Sequence, residues 1–193
     1  MAAERITILG KTFEKTISEA EIQEVVKNVA SRIKADYEDK NPVFLVVLNG
    51  AFSFAADLLR MLDFPCEYVF TKVNSYDGLA STGKVIEHIP ILEDLADRHV
   101  VVIEDIVETG YSMQFLMEVL SKKSPASAEI CAFSFKPEKL LVKDLKVKYV
   151  GMQLPDDFIV GYGLDYHHQG RYLRDIYSLV NEEYRNFWCT RFR

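Results

Sequence analysis

The chain has 193 residues, which suits one domain with a substantial hydrophobic core, or a domain with a small appended lobe. Hydrophobic residues make up 49% of it and charged residues 27%, proportions typical of a soluble globular protein. The net charge of −6, without a basic tract, argues against an extended nucleic-acid interface. No apolar stretch is long enough to span a membrane, and the first residues lack the hydrophobic segment of a signal peptide. We therefore expect a cytoplasmic protein that partners neither nucleic acid nor membrane.

Hydrophobic periodicity predicts alternating helices and strands along most of the chain. Ser18 and Glu21 form a capping box before an apolar face at helical spacing, which predicts a helix over about 19–36. Apolar runs rich in β-branched residues predict buried strands. The other predicted elements are strands at 43–48, 66–73, 84–88, 100–103 and 128–135 and helices at 51–62 and 112–122. This alternation predicts an α/β fold with a doubly wound, mainly parallel sheet.

The last third of the chain has a different pattern. Short strand-like pieces at 148–154, 158–160 and 177–180 are separated by Pro155 and several glycines. We predict that they form, with N-terminal residues, a small hood lobe over the ends of the strands. The whole chain, 1–193, is then one domain, with a core at about 36–155 and a hood from N-terminal residues and about 156–193. The aromatic tail at 184–189 fits either an interface or a packed end.

The cysteines and a histidine pair offer little support for a metal site. Cys66, Cys131 and Cys189 are far apart and lack the spacing of metal ligands. Cys66 and Cys131 lie in apolar, strand-like surroundings, so we predict that both are buried free thiols. The adjacent His167 and His168 lack a familiar zinc spacing, and neighbouring side chains rarely point into one site, so we expect no zinc there.

Residues 100–112 carry the most information about function. A β-branched run at 100–103 leads into Glu104 and Asp105, and open α/β sheets bind ligands at the carboxyl ends of such strands. The following Glu-Thr-Gly-Tyr-Ser at 108–112 places a glycine, two hydroxyls and backbone N–H groups at the start of a helix, which favours a bound phosphate. The residues alone fit either a phosphate site or an ordinary strand–loop–helix with an acidic turn.

This segment resembles the diphosphate-sugar signature of the type I phosphoribosyltransferases. The signature is four apolar residues, Glu-Asp, two apolar residues, an acidic or small residue, Thr-Gly, any residue, then Ser or Thr. Residues from about 40 to 180 resemble the hypoxanthine and hypoxanthine-guanine branch, and 155–166 are close to its pattern Pro-Asp-x-Phe-Val-Val-Gly-Tyr-x-Leu-Asp-Tyr. The resemblance implies a purine salvage enzyme that transfers 5-phosphoribosyl from phosphoribosyl diphosphate to N9 of hypoxanthine or guanine. It also implies Mg²⁺ as cofactor and a homodimer or homotetramer.

The resemblance assigns roles on the sugar side of the substrate. It implies that Glu104 and Asp105 lie near the ribose hydroxyls, which they bind directly or through water on Mg²⁺. The residues implied to hold the 5′-phosphate are Thr109, Gly110, Tyr111 and Ser112, with no role for the Tyr111 side chain.

Three segments are implied to surround the diphosphate. Leu48, Asn49 and Gly50 follow the first buried strand and resemble the family loop in which a non-proline cis bond turns a backbone N–H toward the diphosphate. Asn49 stands where the family usually has a basic residue, and these residues alone also fit an ordinary Asn-Gly turn. Asp165 is implied to hold the Mg²⁺ of the diphosphate, and Arg171 to contact the diphosphate itself.

A polar segment resembles the family's mobile lid. It covers 74–83 and includes Ser75 and Tyr76, which we expect to bind substrate when the lid closes. A closed lid excludes water from a ribosyl centre that would otherwise be hydrolysed. The length of the segment fits a plain exposed hairpin equally well.

The purine side is implied to contain four residues. Lys136 follows a strand and matches the lysine that donates to the 6-oxo group, although a lone lysine is usually solvated. Phe158 would stack on the purine, and Ile159 would meet its edge through the backbone. Glu108 stands where the family's purine enzymes carry Asp, the favoured base for the proton of N7. We predict that Glu108, one methylene longer, is still the base and that Glu108 and Lys136 are the catalytic residues.

Two alternatives to a purine transferase remain. A non-catalytic protein of this fold could bind phosphoribosyl diphosphate or nucleotides and control RNA or DNA binding, but the net charge of −6 without a Lys/Arg cluster argues against it. An enzyme acting on a pyrimidine or orotate is the second alternative. Lys136 and the Phe158 segment favour a purine instead.

Overall fold

The computed structural model describes residues 4–75 and 85–180. In chain order the elements are the strands β1 (Arg5–Ile8) and β2 (Lys11–Ile17), the helix α1 (Glu19–Tyr37), β3 (Val43–Val47), α2 (Phe52–Met61), β4 (Glu67–Ser75), β5 (Val85–Ile89), β6 (His99–Val107), α3 (Tyr111–Ser121), β7 (Ser127–Phe135), a 3₁₀ turn (Pro137–Lys139), β8 (Tyr149–Gln153), β9 (Ile159–Val160) and β10 (Ile176–Leu179). The helices and the strands predicted from periodicity are present, with bounds that differ mostly by one or two residues.

The main sheet has six strands in the order β5-β4-β3-β6-β7-β8. Neighbours from β4 to β8 run parallel, and β5 runs antiparallel to β4. The chain builds outward from β3 on one side and from β6 on the other, so the switch point of the sheet lies between β3 and β6. The predicted doubly wound, mainly parallel sheet is confirmed, and ligands of such sheets bind at the switch point.

Helices cover both faces of this sheet because successive side chains of a strand point to opposite sides. Phe44 and Val46 of β3 pack in a core with α1 and α2, whereas Leu45 and Val47 pack in a second core with α3. A strand covered on both faces needs apolar residues at every position. The unbroken apolar runs that predict β3 and β6 follow directly from this burial.

Helix α1 begins at the predicted capping box. Ser18 Oγ accepts a hydrogen bond from the backbone N–H of Glu21, and the Glu21 carboxylate accepts one from the N–H of Ser18. The apolar face of α1 includes Ile22 and Ile33, which are buried on the main sheet beside α2. The core therefore starts before the predicted boundary at about residue 36.

The hood is a four-stranded antiparallel sheet in the order β1-β2-β10-β9. It joins the N-terminal hairpin to segments that follow residue 158, and its own small core includes Phe13, Val160 and Tyr177. Of the three strand-like pieces predicted to form this lobe, the first is misplaced. It is β8, which pairs with β7 in the main sheet and buries Tyr149 in the main core.

Strand β6 is longer than the predicted 100–103. Ile106 and Val107 still pair with β7, so the strand continues to Val107. Glu104 and Asp105 therefore lie inside the last part of the strand rather than after it. This placement fixes their backbone in the sheet at the edge where the ligand site is expected.

Cys131 is a buried free thiol as predicted, whereas Cys66 is only half-buried because it lies on the connection before β4 begins. Cys189 and the rest of the 184–189 tail lie outside the described residues. Within 4–75 and 85–180, no helix has the length and apolar character that crossing a membrane requires.

Candidate active site

A cavity of about 490 Å³ opens at the carboxyl ends of β3 and β6, at the switch point of the sheet. Its wall combines the loop after β3, the end of β6, the loop into α3 and part of the hood. The predicted site residues in this wall are Leu48, Gly50, Glu104, Asp105, Glu108, Thr109, Gly110, Ser112, Asp165 and Arg171. Residues implied to bind ribose, phosphate and diphosphate thus come together from distant parts of the sequence.

Two adjacent acids of β6, Glu104 and Asp105, belong to the cavity wall. Glu104 Oε1 accepts a hydrogen bond from the backbone N–H of Asp105 at 3.1 Å, and Asp105 Oδ1 accepts one from the N–H of Ile106 at 2.8 Å. Burial raises the pKa of the Glu104 carboxyl well above its usual range, and the neighbouring Asp105 carboxylate raises it further. Hydroxyl donors or a cation would relieve this concentration of negative charge.

The loop between β6 and α3 ends at Gly110, whose φ is 90°. Glycine adopts this left-handed conformation readily, and a Cβ here would lie only 2.9 Å from Leu140. Helix α3 begins at Tyr111, one residue before the predicted start, and Gly110 has no side chain to cap its first N–H groups. Uncapped N–H groups at a helix N-terminus favour an anion. The Tyr111 side chain is half-buried and outside the cavity wall, whereas Ser112 belongs to it.

Gly50 is pressed between two other parts of the site. A Cβ at residue 50 would lie 1.6 Å from Asp105 Oδ2, and a Cβ at residue 163 would lie 2.1 Å from the carbonyl oxygen of Gly50. Gly163 itself has a φ of 96°. The peptide bond between Leu48 and Asn49 is cis, and Asn49 is exposed outside the cavity wall. The loop after β3 therefore touches both β6 and the hood through glycine backbone.

Arg171 fixes the hood segment that faces the cavity. Its Nη1 donates to the carbonyl oxygen of Gly163 at 2.6 Å, and its Nη2 lies 2.6 Å from Asp165 Oδ1. The backbone N–H of His168 donates to Asp165 Oδ2 at 2.7 Å. A guanidinium fork can hold a carbonyl and a carboxylate at once, which a lysine ammonium does with less geometric control. The implied magnesium ligand and the implied diphosphate contact thus form an ion pair with each other.

Lys136 and Glu108, the predicted catalytic pair, form an ion pair. Lys136 Nζ lies 2.6 Å from Glu108 Oε1 and also donates to the carbonyl oxygen of Asp157 at 2.7 Å. Lys136 is only 3% exposed, so these two acceptors compensate the burial of its ammonium. Lys139 Nζ reaches the same Glu108 oxygen at 3.6 Å and lies 2.5 Å from Asp156 Oδ1.

Phe158 and Ile159 lie in the hood next to this ion pair. Phe158 packs with Phe13 and Tyr166, at ring-centroid distances of 6.4 and 5.9 Å. Ile159 is buried and opens β9. Neither residue belongs to the cavity wall, but the carbonyl group that Lys136 binds belongs to the residue before Phe158. The implied purine residues therefore adjoin the sugar side at its hood end.

The predicted lid falls largely outside the described residues. Ser75 ends β4, where its backbone pairs with Val85 of β5. Tyr76 and the remainder of the segment to residue 83 are not among the described residues. The strands β4 and β5, which pair with each other, come before and after this segment in the chain. Its role as a lid stays a prediction.

Lys139 and Gly163 contact predicted site residues, although no sequence motif singled them out. Lys139 follows Lys136 by one 3₁₀ turn that begins at Pro137, so a Lys-Pro-x-Lys spacing was the available signal. Gly163 is separated by one residue from Gly161, and both have a positive φ. Their partners, Glu108 and Gly50, lie far away in the sequence, and no local pattern identifies them.

The donor set fits a magnesium ion that binds together with substrate. Glu104, Asp105 and Asp165 supply carboxylate oxygens to one cavity wall, and such hard donors suit Mg²⁺. Among the residues that the structure describes, no group of three or more His, Cys, Asp or Glu side chains could hold a metal by itself. Mg²⁺ commonly takes one or two carboxylates and completes its shell with water and substrate phosphates.

Comparison with known proteins identifies the class. Residues 16–167 match the phosphoribosyl transferase domain family, and the chain belongs to this family. A curated relative, the hypoxanthine-guanine-xanthine phosphoribosyltransferase of Tritrichomonas foetus, is 36% identical over 164 residues, which cover 85% of this chain and 90% of the relative.

Solved structures give the same result at the level of the fold. A hypoxanthine-guanine phosphoribosyltransferase of Bacillus anthracis, crystallised with a HEPES molecule in its active site, is 38% identical with a TM-score of 0.82, and the match covers 86% of this chain and 98% of that one. The hypoxanthine phosphoribosyl transferase of Trypanosoma cruzi is 33% identical with a TM-score of 0.82, covering 91% of this chain and 95% of that one. The latter structure concerns the role of the C-terminal region in oligomeric state and activity.

Proposed function

We propose that the protein is a purine salvage enzyme that transfers the 5-phosphoribosyl group of phosphoribosyl diphosphate to N9 of a 6-oxopurine. The products are inosine or guanosine monophosphate and diphosphate. The observation that carries the proposal is that the acids of β6, the start of α3 and the Asp165–Arg171 pair line one and the same cavity. Family membership and the relatives' names support it. Those names support neither the non-catalytic alternative nor an enzyme acting on a pyrimidine or orotate.

We assign the phosphoribosyl side of the substrate to the cavity. The 5′-phosphate is assigned to the backbone and hydroxyls of 109–112, where helix α3 offers uncapped N–H groups. Glu104 and Asp105 are assigned to the ribose hydroxyls as acceptors. The diphosphate is assigned to the space between the backbone of the Leu48–Gly50 loop and Arg171. Leu48, Gly50 and Arg171 belong to the cavity wall.

Magnesium, when bound with phosphoribosyl diphosphate, neutralises the charge of the diphosphate and improves it as a leaving group. We assign Asp165, with Glu104 and Asp105, to hold it. The contribution of this chain is orientation: Arg171 fixes one Asp165 oxygen, and the His168 N–H fixes the other.

We assign the purine to the hood end of the cavity. Lys136 donates to the 6-oxo group, Phe158 stacks on the ring, and the Ile159 backbone meets its edge. As the bond between C1 and the diphosphate lengthens, positive charge develops on the ribose, and N9 of the purine attacks. Glu108 takes the proton of N7, and the lid with Ser75 and Tyr76 keeps water away.

The test is a spectrophotometric assay of the purified protein with phosphoribosyl diphosphate and Mg²⁺. Hypoxanthine, guanine, xanthine and orotate are offered in parallel reactions. We expect turnover of a 6-oxopurine and none of orotate, with chelation of Mg²⁺ abolishing the rate. Turnover of orotate alone would overturn the proposal. Binding of phosphoribosyl diphosphate without turnover of any base would favour the non-catalytic protein that controls RNA or DNA binding.

We further propose a homodimer or homotetramer that uses the aromatic surface of Phe52, Tyr68 and Phe70. These side chains are 58%, 59% and 39% exposed, and they line a groove of about 390 Å³ between α2 and β4. Exposed apolar patches of this kind commonly mark interfaces. Light scattering should show monomers for Tyr68→Glu and an unchanged assembly for Leu92→Glu, a control at a residue that is 83% exposed elsewhere.

We propose the cytoplasm as the compartment in which the enzyme works. Cys66 and Cys131 are free thiols, and free thiols persist in reducing compartments. After cell lysis and sedimentation of membranes, the protein should remain in the supernatant. Recovery in the membrane pellet would contradict this assignment.

A further inference from the structure

We propose that Lys139 is a positioning residue for Glu108: it holds the Glu108 carboxylate when Lys136 turns to the purine, and Asp156 anchors it in place. The inference rests on the proposed function, because it adds a third member to the assigned pair of Lys136 and Glu108. It concerns a residue that touches no substrate in the assignment above and acts through another side chain.

The 3₁₀ turn Pro137–Lys139 brings the two lysines to one side. Residues three apart in such a turn lie one above the other, and the N–H of Lys139 donates to the carbonyl oxygen of Lys136 at 3.1 Å. Their ammonium groups consequently face the same oxygen, Glu108 Oε1, at 2.6 Å for Lys136 and 3.6 Å for Lys139. Pro137 is the first residue of the turn, and its ring fixes its backbone angle φ. The relative position of the two lysines is therefore determined by the turn itself.

The two lysines differ in their second partner. Lys136 donates to the backbone carbonyl of Asp157, whereas Lys139 forms an ion pair with the side chain of Asp156. Both partners lie directly before Phe158, the residue assigned to stack on the purine. The lysines therefore tie Glu108 to the segment that leads into β9.

Glu108 needs a second cation because Lys136 has two tasks in the proposed reaction. Lys136 donates to Glu108 and to the Asp157 carbonyl, and in the proposed reaction its ammonium turns to the 6-oxo group while the Glu108 carboxylate turns to N7. Glu108 also has one more rotatable bond than the Asp of the family pattern, so fixing its carboxylate costs more conformational entropy. Lys139 is 22% exposed and lies 3.6 Å from the carboxylate. It lets Glu108 leave Lys136 without losing an ionic partner.

The charges around Glu108 set the sign of the expected effects. Those that face it or share its cavity are Lys136 and Lys139 from the end of β7 and the 3₁₀ turn, Asp156 through Lys139, Glu104 and Asp105 of β6, and Asp165 and Arg171 of the hood. Removing the Lys139 cation favours the protonated form of Glu108. Removing the Asp156 anion favours the ionised form.

The test measures kcat and KM for hypoxanthine and for phosphoribosyl diphosphate across a pH series. Lys139→Met should raise the KM for hypoxanthine about five- to tenfold, the range expected for one lost partly buried ion pair, and change the KM for phosphoribosyl diphosphate by less than about twofold. The acid limb of kcat/KM should move to higher pH. Lys139→Arg should keep the parental values.

A second pair of variants separates positioning from general damage. Asp156→Asn should move the acid limb to lower pH in the parental background and have no effect in the Lys139→Met background, because it acts through Lys139. Lys143→Met is the matched control, since Lys143 is an exposed lysine of the following loop and forms no ion pair with Glu108. Thermal unfolding is recorded for every variant, and Asp156→Asn decides if Lys139→Met does not fold.

If the parent is active and Lys139→Met keeps the parental hypoxanthine KM and pH profile, this inference alone is overturned. The same shift in Lys143→Met also overturns it, because the effect would then be a long-range one. A parent that turns over no 6-oxopurine overturns the proposed function and this inference together.

Discussion

The backbone of Gly50 lies in direct contact with the carboxylate of Asp105, so that a Cβ at residue 50 would be 1.6 Å from Asp105 Oδ2. On its other side, Gly50 meets Gly163, whose own Cβ would be 2.1 Å from the Gly50 carbonyl oxygen. The loop after β3 therefore meets the Asp105 carboxylate on one side and the hood backbone on the other, with no side chain of its own at residue 50. Any group added here moves the acids of β6 relative to Arg171.

Gly50→Ala should lower kcat/KM for the purine by on the order of 100-fold, because a displacement of about 1 Å at a reacting centre can cost that much. The measurement is the initial rate at saturating phosphoribosyl diphosphate, with thermal unfolding recorded beside it. Gly10→Ala is the control: Gly10 has a φ of 78°, and no atom lies within 4 Å of its Cβ position. It should lose about 1 kcal/mol of stability and no activity. Parental rates in Gly50→Ala would show that this contact does not position the acids.

Glu108→Gln should lower kcat by about 100- to 10,000-fold and remove the acid limb of the pH profile, because a glutamine cannot accept the N7 proton. The substitution keeps the length of the side chain but removes the charge that Lys136 contacts at 2.6 Å. Glu138→Gln changes an exposed glutamate of the neighbouring 3₁₀ turn and should leave kcat unchanged. Equal turnover and pH profiles for Glu108→Gln and the parent would exclude Glu108 as the base.

Arg171→Lys should raise the KM for phosphoribosyl diphosphate about tenfold, because an ammonium cannot reproduce the fork that binds Gly163 and Asp165 together. The KM for hypoxanthine should change much less. Arg174→Lys provides the comparison, since Arg174 is 79% exposed and contacts Glu19 on the surface. A similar rise in both variants would indicate a loss of folded protein rather than of a diphosphate contact.

A separate network at the far edge of the sheet makes stability depend on pH. The Tyr149 hydroxyl donates to Asp36 Oδ2 at 2.5 Å, and Lys148 Nζ lies 3.0 Å from the same oxygen. The hydroxyl, and then the ammonium, hold the pKa of the Asp36 carboxyl below its usual range. A carboxyl with a lowered pKa in the folded state stabilises the fold above its unfolded-state pKa, and this contribution is lost as pH falls through the folded-state pKa.

Asp36→Asn should therefore lower the free energy of unfolding at neutral pH by a few tenths to about 1 kcal/mol, a small effect because solvent screens a carboxylate that is 42% exposed. Urea unfolding at a series of pH values should show the difference shrinking as the solution is acidified. Asp39→Asn, at an exposed acid just beyond the helix, should differ little from the parent at any pH. A difference between Asp36→Asn and the parent that persists in acid would mean that packing, not charge, is responsible.

The main sheet was predictable because burial on both faces leaves a continuous apolar run in each central strand. The hood was harder, since β2 alternates polar residues around one strong anchor, Phe13, and β9 has only two residues. Its formation depends on pairs such as Ile17 with Ile176, which no local pattern can reveal.

The candidate site likewise has a part that a local sequence pattern predicts and a part that it does not. Residues of the segment from Glu104 to Ser112, which runs from the end of β6 into α3, are contiguous and were predictable as a group. The contacts of Gly163 with Gly50 and of Lys139 with Glu108 join segments that are distant in sequence, so only the packing of the hood on the sheet reveals them.

The most direct test of the proposed activity is to measure diphosphate release and nucleotide formation in one reaction with hypoxanthine, phosphoribosyl diphosphate and Mg²⁺. The site described above predicts diphosphate and inosine monophosphate in equal amounts, with both formed far more slowly by Glu108→Gln. Bound phosphoribosyl diphosphate that releases no diphosphate with any purine, or diphosphate released without a nucleotide, would contradict it.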